Sequence, residues 1–169
     1  FYNPFRKKWV YSLRSGWAGR GRSRHYWESD DFLKGAAYEV GAPAFWVSSD
    51  NQDIVDHDNG GHTPQLYCLD AVAYESIMLG MFEIHHGPPN QECAKVGLPK
   101  ITELNLAYSR DGFHWHRPDR NIHIRAERWG SDKWDTGYVQ PLGNICTIQG
   151  DTMFFYYSAF RGNTNRTDK

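Results

Sequence analysis

The side chains of this 169-residue chain that could carry chemistry are carboxylates. It has no Gly-x-Ser-x-Gly elbow, no phosphate-cradling loop and no recognisable Cys/His pairing, so nucleophilic and nucleotide chemistry have no foothold. Paired carboxylates serve glycoside hydrolysis, in which one protonates the leaving oxygen and the other attacks the sugar or activates water. Asp70 stands in the otherwise apolar run Leu66 to Glu75, where an unpartnered carboxylate is costly. Asp135 just precedes another apolar run. These two are the candidate catalytic acids, though Asp70 reads equally as a buried carboxyl bonded to backbone or Arg, and Asp135 as a turn cap. Tyr67, Trp134 and Tyr138 are candidate sugar-stacking platforms or packing aromatics, and Gln140 is a candidate polar contact.

The acids Asp53, Asp56 and Asp58 with His57 and His62 suggest a metal site by residue type, but their spacing is irregular and Asn59-Gly60-Gly61 reads as a solvated loop. His85 and His86 would face opposite sides of a strand. No metal and no cofactor are expected; His62 is kept as a candidate substrate contact.

The elements that must position these residues are strands. A phrase recurs: Tyr26-Trp27-Glu28-Ser29-Asp30-Asp31-Phe32 aligns with Ala107-Tyr108-Ser109-Arg110-Asp111-Gly112-Phe113. Each follows an apolar, β-rich run, Lys8 to Leu13 and Ile77 to Phe82, and a third run spans Met153 to Ser158. Their spacing, roughly 70–75 residues, suits four-stranded propeller blades with long loops. Strands are expected over 66–74, 77–84, 103–109, 139–148 and 152–158, with tight turns at Glu75-Ser76 and Gln149-Gly150-Asp151. No stretch has convincing helical periodicity, although the loop opened by Gly87-Pro88-Pro89-Asn90 has room for one helical turn. Asp111 is expected to cap its turn.

The expected fold is all-β: a β-propeller of the five-bladed type, about three blades of four-stranded antiparallel sheet, in a single, partial domain with blades near 1–64, 65–138 and 139–169. A sandwich of two similar halves is the competing reading.

Composition sets the outer limits. Hydrophobic residues are 40% and aromatics 15%, enough to build a core, and the net charge of -1 gives no footprint for nucleic acid. The one basic run, Arg14, Arg20, Arg22 and Arg24, has a Gly-rich setting that reads as a loop. No apolar run could span a bilayer, so no membrane is expected. The opening segment is expected to be a strand and not a signal peptide. Cys68, Cys93 and Cys146 read as free thiols, two of them in strand patterns.

Four phrases carry a resemblance: Phe1-Tyr2-Asn3-Pro4-Phe5-Arg6-Lys7-Lys8-Trp9, Thr63-Pro64-Gln65-Leu66-Tyr67, Ala73-Tyr74-Glu75-Ser76-Ile77-Met78-Leu79-Gly80 and Ser109-Arg110-Asp111-Gly112-Phe113-His114-Trp115. Together they resemble bacterial proteins of the glycoside hydrolase family 32-like group, in the five-bladed superfamily of invertases, levansucrases and arabinanases. The resemblance implies an Asp nucleophile in a first blade, an Arg-Asp-Pro whose Asp holds sugar hydroxyls, and a Glu proton donor in the third blade. Here Tyr2-Asn3-Pro4 stands at the Arg-Asp-Pro place, making Asn3 the implied sugar contact. Asp70 falls near the proton donor's place, and the nucleophile's blade precedes Phe1. The expected function is a glycosidase, or a fragment of one, acting on an oligo- or polysaccharide; a non-catalytic propeller binding carbohydrate or protein is the alternative, and an open fragment with exposed edge strands the third.

Overall fold

The computed structural model describes residues 1–17, 21–97 and 99–160, and it is all-β with two open sheets. The first has the order β1 (Tyr2–Asn3), β2 (Lys8–Trp17), β3 (Gly21–Ser29), β4 (Ala44–Ser48), antiparallel throughout. The second runs β5 (Gln65–Tyr74), β6 (Ile77–Gly87), β7 (Ile101–Ser109), β8 (Tyr138–Gln149), β9 (Thr152–Phe160). Its pairs are antiparallel except β7 with β8, which meet in parallel at Thr102 and Tyr138. Two bridges, Leu104 to Ile124 and Tyr108 to His116, lay an irregular segment along β7. Among the described residues the sheets do not close into a barrel or a ring of blades.

Strand β6 is buried along nearly its whole length because both of its faces are covered. On one face Leu66, Leu69, Phe82, Ile84 and Ala107 pack with Trp46 and Val47 of the first sheet and with Trp115. On the other, Met81, Leu104, Val139 and Ile145 form a second core backed by Phe155, Tyr157 and Ala159. The β8–β9 hairpin thus leaves the sheet edge after one bridge and packs against its face. Burying apolar side chains on both faces explains why β6 reads as a continuous apolar run instead of an alternating one.

The repeated phrase serves as scaffold. Asp111 accepts bonds from the backbone N–H groups of Phe113 (2.9 Å) and His114 (2.8 Å) and from the Ser109 hydroxyl (3.0 Å). Burial works against its charge, but these bonds and the His114 ring hold the carboxyl well below the usual range. Gly112 adopts φ +74°, and a Cβ there would lie 2.3 Å from the Asn3 side chain.

Expected strand centres hold, with ends one to three residues longer. A helical turn does occupy the loop after Pro89, as α2 (Asn90–Val96). A further short helix, α1 (Phe32–Gly35), lacked any periodic signal; Asp31 makes it by accepting from the N–H groups of Leu33 and Lys34. The basic run is corrected: Arg14 lies in β2 and Arg22 and Arg24 in β3, a paired hairpin in place of a loop. Arg20 lies outside the described residues, as does the 161–169 end of the expected last blade. All three cysteines are free.

Candidate functional site at the β5–β8 strand ends

Register brings four residues into one row across the second sheet. Gln65 faces His85, His85 faces Thr102, and Thr102 faces Tyr138. This row lies at the strand ends, where β5, β7 and β8 begin and β6 finishes. Aromatic and cationic side chains gather there. Tyr67 stacks on His85 (centroids 6.1 Å, 17°) and meets Tyr138 edge-on at 5.6 Å. Lys100 places its ammonium 5.3 Å from the Tyr67 ring and 5.0 Å from the Tyr138 ring, and Arg22 lies 5.6 Å from Tyr67. Such cation–aromatic contacts are each worth about 0.5–1 kcal/mol where solvent reaches them. Arg22 is steered by Gln65, whose Oε1 accepts from its guanidinium at 2.8 Å and its backbone N–H at 3.1 Å. Arg24 donates to the Tyr67 carbonyl at 3.0 Å and so ties the first sheet to β5.

His85 Nδ1 accepts from the Gly87 N–H at 3.2 Å, so the proton of the neutral ring is on Nε2. Burial first, then Arg22 and Lys100, push its pKa down to about 3, which keeps it neutral. Gln140 donates to the Tyr138 hydroxyl at 3.1 Å, and burial raises that phenol.

Below this mouth lies Glu83, fully buried, with neither carboxyl oxygen hydrogen-bonded. The nearby Thr102 hydroxyl donates instead to the Val139 carbonyl at 2.7 Å. Burial pushes the Glu83 carboxyl up to about 8, against the opposing pull of Thr102, Gln140, Arg24 and Lys100. At neutral pH it is a carboxylic acid, able to give a proton. Glu83 pairs with Cys68 and Asp70 pairs with Met81, so the two acids share a face two rungs apart. Diagonal neighbours of this kind have Cα atoms about 7–8 Å apart. Burial also raises the Asp70 carboxyl, opposed by the Phe1 amino group and Arg24. Cys68, between them, has its thiol pushed up to about 12, chiefly by burial and then by Asp70, and is unreactive as a nucleophile.

The expected site residues divide. Tyr67 and Gln140 belong to this cluster, and Asp70 to its floor. His62 sits at the rim, its ring against Gly87, where a Cβ would lie 2.4 Å away, and its Nε2 3.6 Å from Glu92. Asp135 is elsewhere: β5 and β8 run in the same direction from the Tyr67–Tyr138 contact, and Asp70 lies three residues beyond it, about 10 Å along the strand, whereas Asp135 lies three residues before it. Its carbonyl accepts from the Glu127 N–H at 3.0 Å, and its charge is felt by Lys133 and Tyr157. The expected axial pairing of Asp70 with Asp135 therefore gives way to Asp70 with Glu83. Trp134 is 58% exposed and stacks on Tyr157 at 5.5 Å, a contact of the β8–β9 unit.

Asn3 is corrected. It is completely buried, its Nδ2 donating to the Asp111 carbonyl (2.7 Å) and its Oδ1 accepting from the N–H groups of Phe5 (3.1 Å) and Arg6 (3.3 Å). It joins two turns, and a ligand cannot reach it. The 53–62 segment is likewise structural at Asp53, which Arg117 and Arg120 hold, and no group of three or more metal-ligating side chains occurs among the described residues.

Sequence reasoning missed Glu83, Lys100 and the role of Arg22 and Arg24. The signal for Glu83 was present: it is the only charged residue in the apolar stretch Ile77 to Ile84. Among protein-family models, curated proteins and solved structures, none matches this chain.

Proposed function

We propose that the chain is a carbohydrate-active segment of a β-propeller of the glycosidase type, whose β5–β8 mouth receives a sugar. The observation that carries this reading is the gathering of Tyr67, Tyr138, Gln140, Lys100 and Arg22 above an uncharged, buried Glu83. Aromatic faces suit the C–H face of a sugar ring, and the amide and cations suit its hydroxyls. The face-to-face packing of the first sheet, β5–β7 and β8–β9 is the arrangement expected of successive blades.

In the hydrolytic form of the proposal, Glu83 gives its proton to the glycosidic oxygen, which leaves as an alcohol. Asp70 takes a proton from the water that bonds to the anomeric carbon. Assays on fructosyl, arabinosyl and xylosyl aryl glycosides test it: turnover that falls at least about a hundredfold in Glu83→Gln supports the acid role, and absence of turnover on all three rejects it. The complete burial of Glu83 favours a second reading, in which the mouth binds glycan without cleaving it. A glycan-array signal lost in Tyr67→Ala, with no hydrolysis, would select that form. No signal and no hydrolysis would reject both.

A further inference from the structure

His86, the neighbour of His85, turns to the opposite side of the second sheet and lines a cavity of about 550 Å3. That volume falls in the roughly 300–1,000 Å3 range of small-molecule sites. His86 is 2% exposed, and neither ring nitrogen makes a hydrogen bond. Its Nε2 stands 3.4 Å from Glu103 Oε2. Glu103 itself is fixed: its Oε1 accepts from Arg128 at 2.7 Å and from the Ala126 N–H at 3.2 Å, and Arg128 also donates to Asp56 at 3.0 Å. Ile54, Val55 and Ile122 supply an apolar wall.

We propose that this cavity is a second site, taking a neutral polyhydroxylated ligand of single-sugar size. Arg128 bridges Glu103 and Asp56, so these two carboxylates are already partnered. What remains unmet is an imidazole, which burial holds below its ordinary pKa against the pull of Glu103 and Asp56. A neutral imidazole offers one N–H and one lone pair. A hydroxyl, which donates and accepts, satisfies both kinds of demand, and an apolar wall accepts the C–H face of a ring. Carboxylates outnumber cations on the lining, with Asp56, Asp58, Glu103 and Glu127 against Arg125 and Arg128, which disfavours an anion. Arg128 already holds Glu103 and Asp56, and Lys133 holds Glu127, so three of the four carboxylates are engaged before an ammonium ligand arrives.

The site is separate from the Tyr67 mouth, and one experiment distinguishes them. Histidine side-chain 1H–15N spectra of the 169-residue chain are followed while D-xylose, L-arabinose, D-fructose, D-glucosamine or D-glucuronate is added. The expected result is a saturable shift of the His86 signals with at least one of the three neutral sugars. Removing the charged acceptor in Glu103→Gln should weaken it about tenfold or more. Ile54→Trp fills the cavity from its exposed wall without touching a buried charge and should abolish the shift, while Tyr67→Ala leaves it unchanged. No shift with any neutral sugar, a shift with glucosamine or glucuronate alone, or a shift that survives Ile54→Trp overturns the proposal. Failure of the mouth is read at His85 instead.

Discussion

Two glutamates on neighbouring strands, Glu83 on β6 and Glu103 on β7, are almost equally buried, at 0% and 2% exposure, yet the fold treats them oppositely. Glu103 is held by a guanidinium and a backbone N–H, and its negative charge is compensated where it stands. Glu83 has no hydrogen bond and avoids the cost of burying charge by keeping its proton. Burial alone therefore does not decide what a carboxyl can do; the groups that meet it do. One side of the sheet holds a fixed ion-pair network and the other a proton that can move.

The sharpest way to break this contrast is Arg128→Ala, which leaves Glu103 and Asp56 without their cation. Arg128 is itself 40% exposed, so its removal from the buried Glu103 should destabilise the chain by about 3 kcal/mol, the low end for a buried pair, measured by urea unfolding at neutral pH. Next in size is the pH response of Glu83. Its folded pKa, about 8, is above its ordinary value of 4.5, so its stabilising share is complete below pH 4.5 and is lost as pH rises towards 8. The loss should reach roughly 3 kcal/mol by pH 7. Glu83→Gln should remove this slope and be the more stable protein at alkaline pH; a wild-type slope unchanged by the substitution would show that the carboxyl is not held neutral. Asp111 should give the opposite sign. Its folded pKa is lowered, so its contribution is present above its ordinary titration range and fades as pH falls, and Asp111→Ala should cost about 1 kcal/mol at neutral pH. The smallest effect is expected for Trp134→Ala, within about 0.5 kcal/mol by thermal unfolding, because that ring stacks on the outside of the β8–β9 unit.

Much of this contrast escapes the sequence for a definite reason. Strands β5 to β9 are legible because β-rich runs, the Glu75 hairpin and the Gly150 turn are local signals. The turn-capping role of Asp111 is legible too, since the bonds of its carboxylate reach only two or three residues along the chain. Glu103 with Arg128 and Asp56, and Asp53 with Arg117, join residues from distant segments, and nothing local announces which acid meets which cation. Attention to acids at the starts of inner strands favoured Asp70 and passed over Glu83, whose burial depends on β8 crossing the sheet face. The Asn3 tripeptide alone implies a sugar contact, whereas its bonding groups are consumed by its own turn and by a turn on the other sheet.

That bond between Asn3 and Asp111 spans 108 residues of sequence. Hairpins β2–β3 and β5–β6 can form from short segments, but this contact requires both sheets to exist and to meet. It can form only once the two halves have docked. Asn3 is one clasp of that docking, beside the Trp46 indole, which donates to the Phe113 carbonyl of the same turn at 2.8 Å.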